Sequence, residues 1–336
     1  MSFKIQIEGS DVAFECAATE NLLDAAMRQG IEMPYSCRKG VCGNCKGRVV
    51  HGDLVPGTQG GSHEAGITQA DEHLFCRAQP ASDVCIAPKH WQRVDPNARK
   101  TVQAKVFKKI QLAPDVTQLQ LRFPAGVRVK FKAGQYLQVL LPDGARRSYS
   151  MANAPHESDA VQLHIRNLPQ GHFSEAMLTN LKVGDTLKLE LPHGDFWLRD
   201  DSERPMLMVA GGTGFAPIKS IVDHMLRQKM QRTVHVYWGA RTAEGIYAAD
   251  VLTRWAQQFP TLVVHPVLSD VTDVTDASSW HGRVGFVHQA VQADFKDLSG
   301  WDVYACGGMP MVTALRETCS QLGLPDAHFY SDAFVG

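Results

Sequence analysis

Apolar and polar residues alternate from the start of the chain. Lys4-Ile5-Gln6-Ile7 and Val12-Ala13-Phe14-Glu15 have the period of two that turns one face of a strand to a core, and the short gap between them predicts a hairpin. The period then lengthens. Asn21-Leu22-Leu23-Asp24-Ala25-Ala26-Met27-Arg28-Gln29 has helical spacing and is ended by Gly30, after which Val49-Val50-His51-Gly52-Asp53-Leu54-Val55 resumes as strand. Beyond the apolar segment Val84-Cys85-Ile86, the run from Gln92 to Lys100 is polar, contains Pro96 and Asn97, and predicts a linker with the first domain boundary at 93–100.

From Val102 to Leu198 the apolar positions come in short runs with turn residues between them, at 119–123, 136–141, 161–165 and 187–191, which predicts an antiparallel barrel or sandwich. After Pro205 the pattern changes. Strands over Met206–Ala210, Val234–Trp238, Leu262–Leu268 and Val303–Ala305 alternate with helices over Ile218–Gln228, Ala248–Gln258 and Met311–Leu322, the mark of βαβ units and a parallel sheet. The expectation is a multidomain chain of α+β, β and α/β parts, with domains at 1–93, 100–200 and 204–336.

Composition narrows the function classes. With 44% hydrophobic and 21% charged residues and a net charge of −1, the chain reads as a globular protein without the basic excess of a nucleic-acid binder. No apolar run approaches the ~20 residues of a membrane-spanning helix, and the N-terminus reads as strand rather than signal peptide. The expected location is the cytoplasm, without membrane or nucleic-acid partners. There, eight cysteines are metal ligands or buried thiols rather than a disulfide framework.

The cysteines carry the first chemistry. In Cys37-Arg38-Lys39-Gly40-Val41-Cys42-Gly43-Asn44-Cys45, four residues separate the first pair and two the second, and Cys76 follows alone. This is the spacing of plant-type [2Fe–2S] ligation, in which three thiolates on one loop and a distant fourth complete the tetrahedra of two irons. Gly40 and Gly43 allow left-handed dihedrals that turn backbone N–H groups toward the sulfurs. A structural zinc site is the alternative, but its ligands usually come as two close knuckles. Cys16 and Cys85, in apolar strand contexts, read as buried thiols. With the strands and helix around it, the segment from 1 to about 90 resembles the plant-type ferredoxin domain, which implies a β-grasp sheet holding the cluster on Cys37, Cys42, Cys45 and Cys76.

Arg146-Arg147-Ser148-Tyr149-Ser150-Met151-Ala152-Asn153 comes next. Its Arg147, Tyr149 and Ser150 match the Arg-x-Tyr-Ser flavin signature of the ferredoxin–NADP reductase superfamily, which the chain resembles here. The resemblance implies that Arg147 pairs with flavin phosphate, that Tyr149 packs on the isoalloxazine, and that Ser150 hydrogen-bonds near N5, with Ser148 between them. These are roles suited to a guanidinium, an aromatic face and a hydroxyl. It also implies flavin contacts from His164, Ile165 and Arg166, and a pyrophosphate segment at Gly171-His172-Phe173-Ser174 opening a helix-like run. Taken one at a time, Arg147 would be a solvated charge and Ser174 an ordinary N-cap; in order and together they imply a flavin, FAD by resemblance to FAD-binding members.

Met206–Ala210 is followed by Gly211-Gly212-Thr213-Gly214 and then a helix, so the glycines bring backbone close to a pyrophosphate at a helix N-terminus. Alone such a turn is weak; after a flavin signature it reads as the nicotinamide dinucleotide site. Cys306-Gly307-Gly308-Met309-Pro310 resembles the superfamily's Cys-Gly-x-Pro segment, which implies that Cys306 lies beside the nicotinamide C4 and flavin N5; its other reading is a core thiol. Phe334, in the C-terminal Asp332-Ala333-Phe334-Val335, is the candidate for the terminal aromatic that covers the flavin. Arg241, after the second strand, is compatible with the 2′-phosphate of NADPH, but relatives that use NADH also carry Arg there, so NADH and NADPH both stay open.

The domain order resembles that of the reductase components of bacterial Rieske-type aromatic-ring oxygenases, and within them the terephthalate dioxygenase reductase group through Asn97-Ala98-Arg99-Lys100, Ser148–Asn153 and Pro155-His156-Glu157-Ser158-Asp159. This implies an NAD(P)H-dependent electron-transfer reductase in aromatic hydrocarbon catabolism, with the terminal oxygenase as protein partner and acceptor. CDP-6-deoxyglucoseen reductase of deoxysugar synthesis shares the order and the Asp332–Val335 tail. A flavin reductase fits Pro192-His193-Gly194-Asp195 but not the ferredoxin domain, and a zinc-bearing interaction module is the non-enzymatic alternative. Residues 1–95 hold 9 Lys/Arg against 12 Asp/Glu, a net −3 that suits docking on a basic patch.

Overall fold

The N-terminal alternation folds as its period requires. The computed structural model, which describes residues 1–56, 69–95, 98–167, 178–270, 280 and 282–334, pairs β1 (Ser2–Ile7) antiparallel with β2 (Ala13–Ala17), Lys4 opposite Glu15, and turns Ile5, Ile7, Phe14 and Cys16 inward. Helix α1 (Leu22–Arg28) is capped by Asn21, whose side-chain oxygen accepts the Asp24 N–H at 2.9 Å, and buries Leu22, Leu23, Ala25 and Ala26. There follow β3 (Ile31–Glu32), β4 (Lys46–His51), β5 (Glu72–Leu74), β6 (Val84–Pro88) and β7 (Gln92–Arg93). The main sheet has the order β2-β1-β6-β4-β5, with β1 and β6 parallel and the other pairs antiparallel. Strand β4 starts directly after Cys45, earlier than the apolar pattern indicates, because Lys46 already pairs with Leu74. Gln92 and Arg93, read as linker from their polarity, pair with β3 through the backbone, which needs no apolar side chain.

The chain divides into two compact units, Met1–Ala98 and Arg99–Phe334. The second unit opens with β8 (Lys100–Ala113), β9 (Val116–Arg122), β10 (Tyr136–Leu140), β11 (Arg146–Ser150), β12 (Ala160–Arg166), the single turn α2 (Leu178–Asn180) and β13 (Thr186–His193). They form an antiparallel sheet of order β11-β10-β13-β8-β9-β12. A bridge between Met151 and Leu163 brings its two edges together, so the sheet curls round a core of Leu119, Leu121, Leu137, Val139, Leu163 and Leu189.

The rest of this unit is β14 (Met206–Gly211), α3 (Phe215–Gln228), β15 (Val234–Ala240), α4 (Ala249–Gln258), β16 (Leu262–Leu268), β17 (Arg283–Val284), α5 (Val287–Asp294), β18 (Asp302–Gly308), α6 (Met309–Gln321) and β19 (Phe329–Phe334). All six strands are parallel, in the order β17-β16-β15-β14-β18-β19. Their near-continuous apolar runs reflect helices on the faces of a parallel sheet. The order reverses between β14 and β18, which opens a crevice at the carboxyl ends of these two strands. Helix α6 begins at Met309, before the predicted start, because Pro310 in a first turn costs no hydrogen bond.

Candidate functional site

Cys37, Cys42 and Cys45 lie on the loop between β3 and β4, and Cys76 just after β5. The four thiols stand as two hydrogen-bonded pairs, Cys37 with Cys42 and Cys45 with Cys76. Among the described residues no three His, Cys, Asp or Glu side chains gather round one point, as a mononuclear metal requires. Two pairs are the donor set of two irons taking two thiolates each, so these residues fit a [2Fe–2S] cluster.

The loop is shaped for anionic sulfur. Gly40 and Gly43 have φ of 81° and 73°, and Arg38, a residue the motif alone does not single out, stands at φ 55° with its guanidinium paired to Asp24. The Lys39 N–H donates to Cys37 Sγ at 3.3 Å; the amides of Val41 and Cys42 also point at Cys37, that of Asn44 at Cys42, and that of Gly40 at Cys76. The hydrogen bond from Cys42, then these amides, hold the Cys37 thiol down to about 5, while the bonds given to their partners, then burial, push Cys42 and Cys45 up. Cys45 and Cys76 are buried, and Cys37 and Cys42 reach partway to the surface.

In the second unit, Arg147, Ser148, Tyr149 and Ser150 lie on β11. The Arg147 guanidinium donates only to the Arg146 carbonyl, at 3.0 Å, and has no carboxylate partner among the described residues. Its neighbour Arg146 is spent on Gln138 at 3.1 Å and Glu190 at 2.9 Å. Tyr149 packs on the sheet core, and burial pushes its phenol up. Ser150 is buried and its Oγ donates to Asp332 Oδ2 at 3.3 Å. Asp332 sits on β19 in register with Cys306 on β18. The Cys306 thiol is fully buried, and burial, then the Asp332 charge, push it well above the ordinary range, so it is a neutral S–H. Ser150, Cys306 and Asp332 thus converge from three strands. The sequence reading misses Asp332, although it is the lone carboxylate of an otherwise uncharged C-terminal strand. Phe334 is opposite Gly308 and partly exposed. Gly171, His172, Phe173 and Ser174 lie outside the described residues.

Gly211, Gly212, Thr213 and Gly214 end β14 and turn into α3. The turn is held by the Trp238 Nε1–H, which donates to the Gly212 carbonyl at 3.0 Å while the Trp238 ring stacks on Phe215 at 3.8 Å. A Cβ on Gly214 would stand 2.1 Å from the Cys306 carbonyl oxygen, so only glycine lets the turn lie against β18. Gly307 and Gly308 end β18 on the other side of the crevice, and Met309 and Pro310 open α6. A cavity of about 500 Å³ lies over these ends, lined by Gly211, Gly212, Arg241, Phe286, Gly308 and Met311. From the preceding antiparallel sheet and its β8–β9 turn, Ala113, Pro114, Asp115 and Arg166 also line it. The Arg166 guanidinium lies over the turn, where a Cβ on Gly212 would be 2.7 Å from Nη2. Its Nε is 3.1 Å from Asp115 Oδ2, but the N–H is not aligned for a hydrogen bond. Ile165 points to the sheet core, while His164 and Arg166 share the opposite face, turned to the parallel-sheet domain. Arg241, Glu244 and Asp270 also line the cavity.

Comparison with known proteins agrees with this arrangement. Residues 5–81 match the 2Fe-2S iron-sulfur cluster binding domain, residues 103–197 the oxidoreductase FAD-binding domain, and residues 208–317 the oxidoreductase NAD-binding domain. The chain is 42% identical to terephthalate 1,2-dioxygenase reductase component 1 of Comamonas sp, over 100% of this chain and 98% of that protein. It is 36% identical to the CDP-6-deoxy-L-threo-D-glycero-4-hexulose-3-dehydrase reductase of Yersinia pseudotuberculosis, over 100% and 99%. Among solved structures it is similar to the Amycolatopsis cytochrome P450 reductase GcoB, with a TM-score of 0.78 and 29% identity over 99% of both chains. The ferredoxin reductase of carbazole 1,9a-dioxygenase has a TM-score of 0.70 and 27% identity, over 100% of this chain and 99% of that one.

Proposed function

The chain belongs to the family of NAD(P)H-dependent reductases that join a [2Fe–2S] domain to FAD- and NAD-binding domains, the family of the dioxygenase reductase components, and on that footing we propose that it delivers its electrons to the terminal oxygenase of an aromatic-ring hydroxylating system. The observation that carries this reading is the pair of thiol pairs on a unit separate from the flavin–nicotinamide unit: a free flavin reductase has no use for a one-electron carrier. Between oxygenase and sugar-nucleotide acceptors, the full-length similarity at 42% against 36% supports the former.

When bound, FAD supplies the exchange between a two-electron hydride donor and a one-electron cluster. The side chains provide placement. Arg147, which has no carboxylate partner among the described residues, reads the flavin phosphate, with the segment Gly171–Ser174 as its companion. Tyr149 covers a flavin face, and Ser150, backed by Asp332, holds a hydrogen bond at the redox-active nitrogen. Neutral Cys306 gives the nicotinamide an uncharged neighbour, and Phe334 closes that end. Arg166 joins the glycine turn in holding the dinucleotide's pyrophosphate, across from the domain that binds the rest of it.

Among the residues that line the cavity, Arg241 is accompanied by the carboxylates of Glu244 and Asp270. A 2′-phosphate dianion is disfavoured there, so kcat/KM for NADH should exceed that for NADPH by about tenfold or more; steady-state kinetics with both nucleotides give the ratio, and a ratio below one would reverse the assignment. The acceptor is tested by mixing the purified reductase and NADH with a Rieske-type aromatic-ring oxygenase and, separately, with a sugar-nucleotide dehydrase. Hydroxylated product in the first mixture is the expected result. Turnover in the second alone would move the protein to the deoxysugar reductases.

A further inference from the structure

His164 is an unusual residue for its position. It lies on β12, is 6% exposed, and sits where an apolar side chain would fill the boundary between the curled sheet and the parallel-sheet domain. Burial, then the charge of Lys219, pushes its pKa down to about 3, so the ring is neutral. Its Nε2 has no partner among the described residues. Its Nδ1 is 3.1 Å from the Tyr247 hydroxyl, and the two rings meet edge to face with centroids 5.4 Å apart. The ring's polar anchor is therefore in the other domain.

Tyr247 continues the contact inward. Its ring stands edge-on to Trp238 at 5.0 Å and to Phe215 at 6.2 Å, the pair that stacks beneath the glycine turn, and Trp238 is bonded to the Gly212 carbonyl. Two residues along β12 from His164, on the same face, Arg166 reaches over that same Gly212. One strand of the flavin-type sheet thus touches the nicotinamide domain at two points, and the spacing between strand and turn is fixed by the first. We propose that His164 and Tyr247 are positioning residues whose hydrogen bond sets the separation of β12 from the glycine turn, and through it the approach of the nicotinamide to the flavin. The inference rests on the assignment of this crevice to the dinucleotide. Hydride transfer is steeply sensitive to such placement.

The test uses the full chain and has two readouts. Asparagine places its amide where His Nδ1 stands, and glutamine places its own where Nε2 stands, so the two nitrogens are separable. In flavin-free protein, hydrogen–deuterium exchange should rise in both 160–166 and 211–215 for Tyr247→Phe and His164→Leu, and return toward wild type in His164→Asn but not in His164→Gln. In FAD-loaded protein, anaerobic stopped-flow reduction by NADH, normalised to bound flavin, should slow by about three- to tenfold in Tyr247→Phe and His164→Leu. The double variant should be no slower than the slower single, and His164→Asn should recover most of the loss. Exchange in Tyr247→Phe equal to wild type at both segments, or rescue by glutamine instead of asparagine, overturns the latch. Failure of NADH and NADPH to bleach the wild-type flavin would instead overturn the assignment of the crevice, and the exchange experiment would still decide the latch.

Discussion

Cys42→Ser should yield a protein that still oxidises NADH with ferricyanide, which takes electrons at the flavin, but reduces cytochrome c at about one hundredth of the wild-type rate or less. Cys42 is half of the pair with Cys37 and partly exposed, so serine is sterically tolerated while one iron loses a thiolate. The loss is confined because the cluster loop belongs to the unit Met1–Ala98, whereas the flavin–nicotinamide residues lie in Arg99–Phe334. Parallel ferricyanide and cytochrome c assays on the same preparation check it. Equal loss in both would mean that the two units are not independent, and full cytochrome c activity would mean that Cys42 holds no iron.

Gly214→Ala should have a comparable effect on the other side of the path. Its backbone dihedrals suit any residue, but the added methyl would stand 2.1 Å from the Cys306 carbonyl oxygen and 2.9 Å from the Gly307 amide nitrogen. Backbone atoms do not yield as the end of a side chain does, so β14 and β18 must part at the crevice where both glycine turns and Cys306 meet. A shift near 1 Å costs about a hundredfold in a reaction that depends on alignment. Flavin reduction by NADH should fall by that order, while reduction by dithionite, which needs no nucleotide site, should be unchanged. Stopped-flow traces with the two reductants separate the cases; wild-type speed with NADH would show that the turn is looser than these contacts imply.

Local chemistry was legible in the sequence, and convergence across the chain was not. Three of the four cysteines proposed as ligands lie within nine residues, so their spacing pointed to a [2Fe–2S] domain, which residues 5–81 match; that Cys45 pairs with Cys76 rather than with Cys42 depends on where β5 delivers Cys76. The period-two pattern placed β12 within two residues of its bounds and told which side chains share a face, but not that the face of His164 and Arg166 is covered by the nicotinamide domain. Asp332 was passed over because its partner Ser150 is 182 residues away. Strand β19 escaped the reading because Tyr-Ser-Asp in its middle breaks the apolar run that marked the other long strands of this sheet. Arg38 took a left-handed conformation that composition assigns to glycine, made acceptable by amides that turn to sulfur.

The central claim is that hydride electrons pass from NADH through a flavin to a cluster on Cys37, Cys42, Cys45 and Cys76. Anaerobic titration of the purified, FAD-loaded protein with NADH, followed by visible absorption and low-temperature EPR, tests it most directly. The account predicts bleaching of the flavin together with a rhombic signal of reduced [2Fe–2S], the signal vanishing in Cys42→Ser while the bleaching persists. Bleaching with no cluster signal in the wild-type protein would contradict it and leave a flavin reductase.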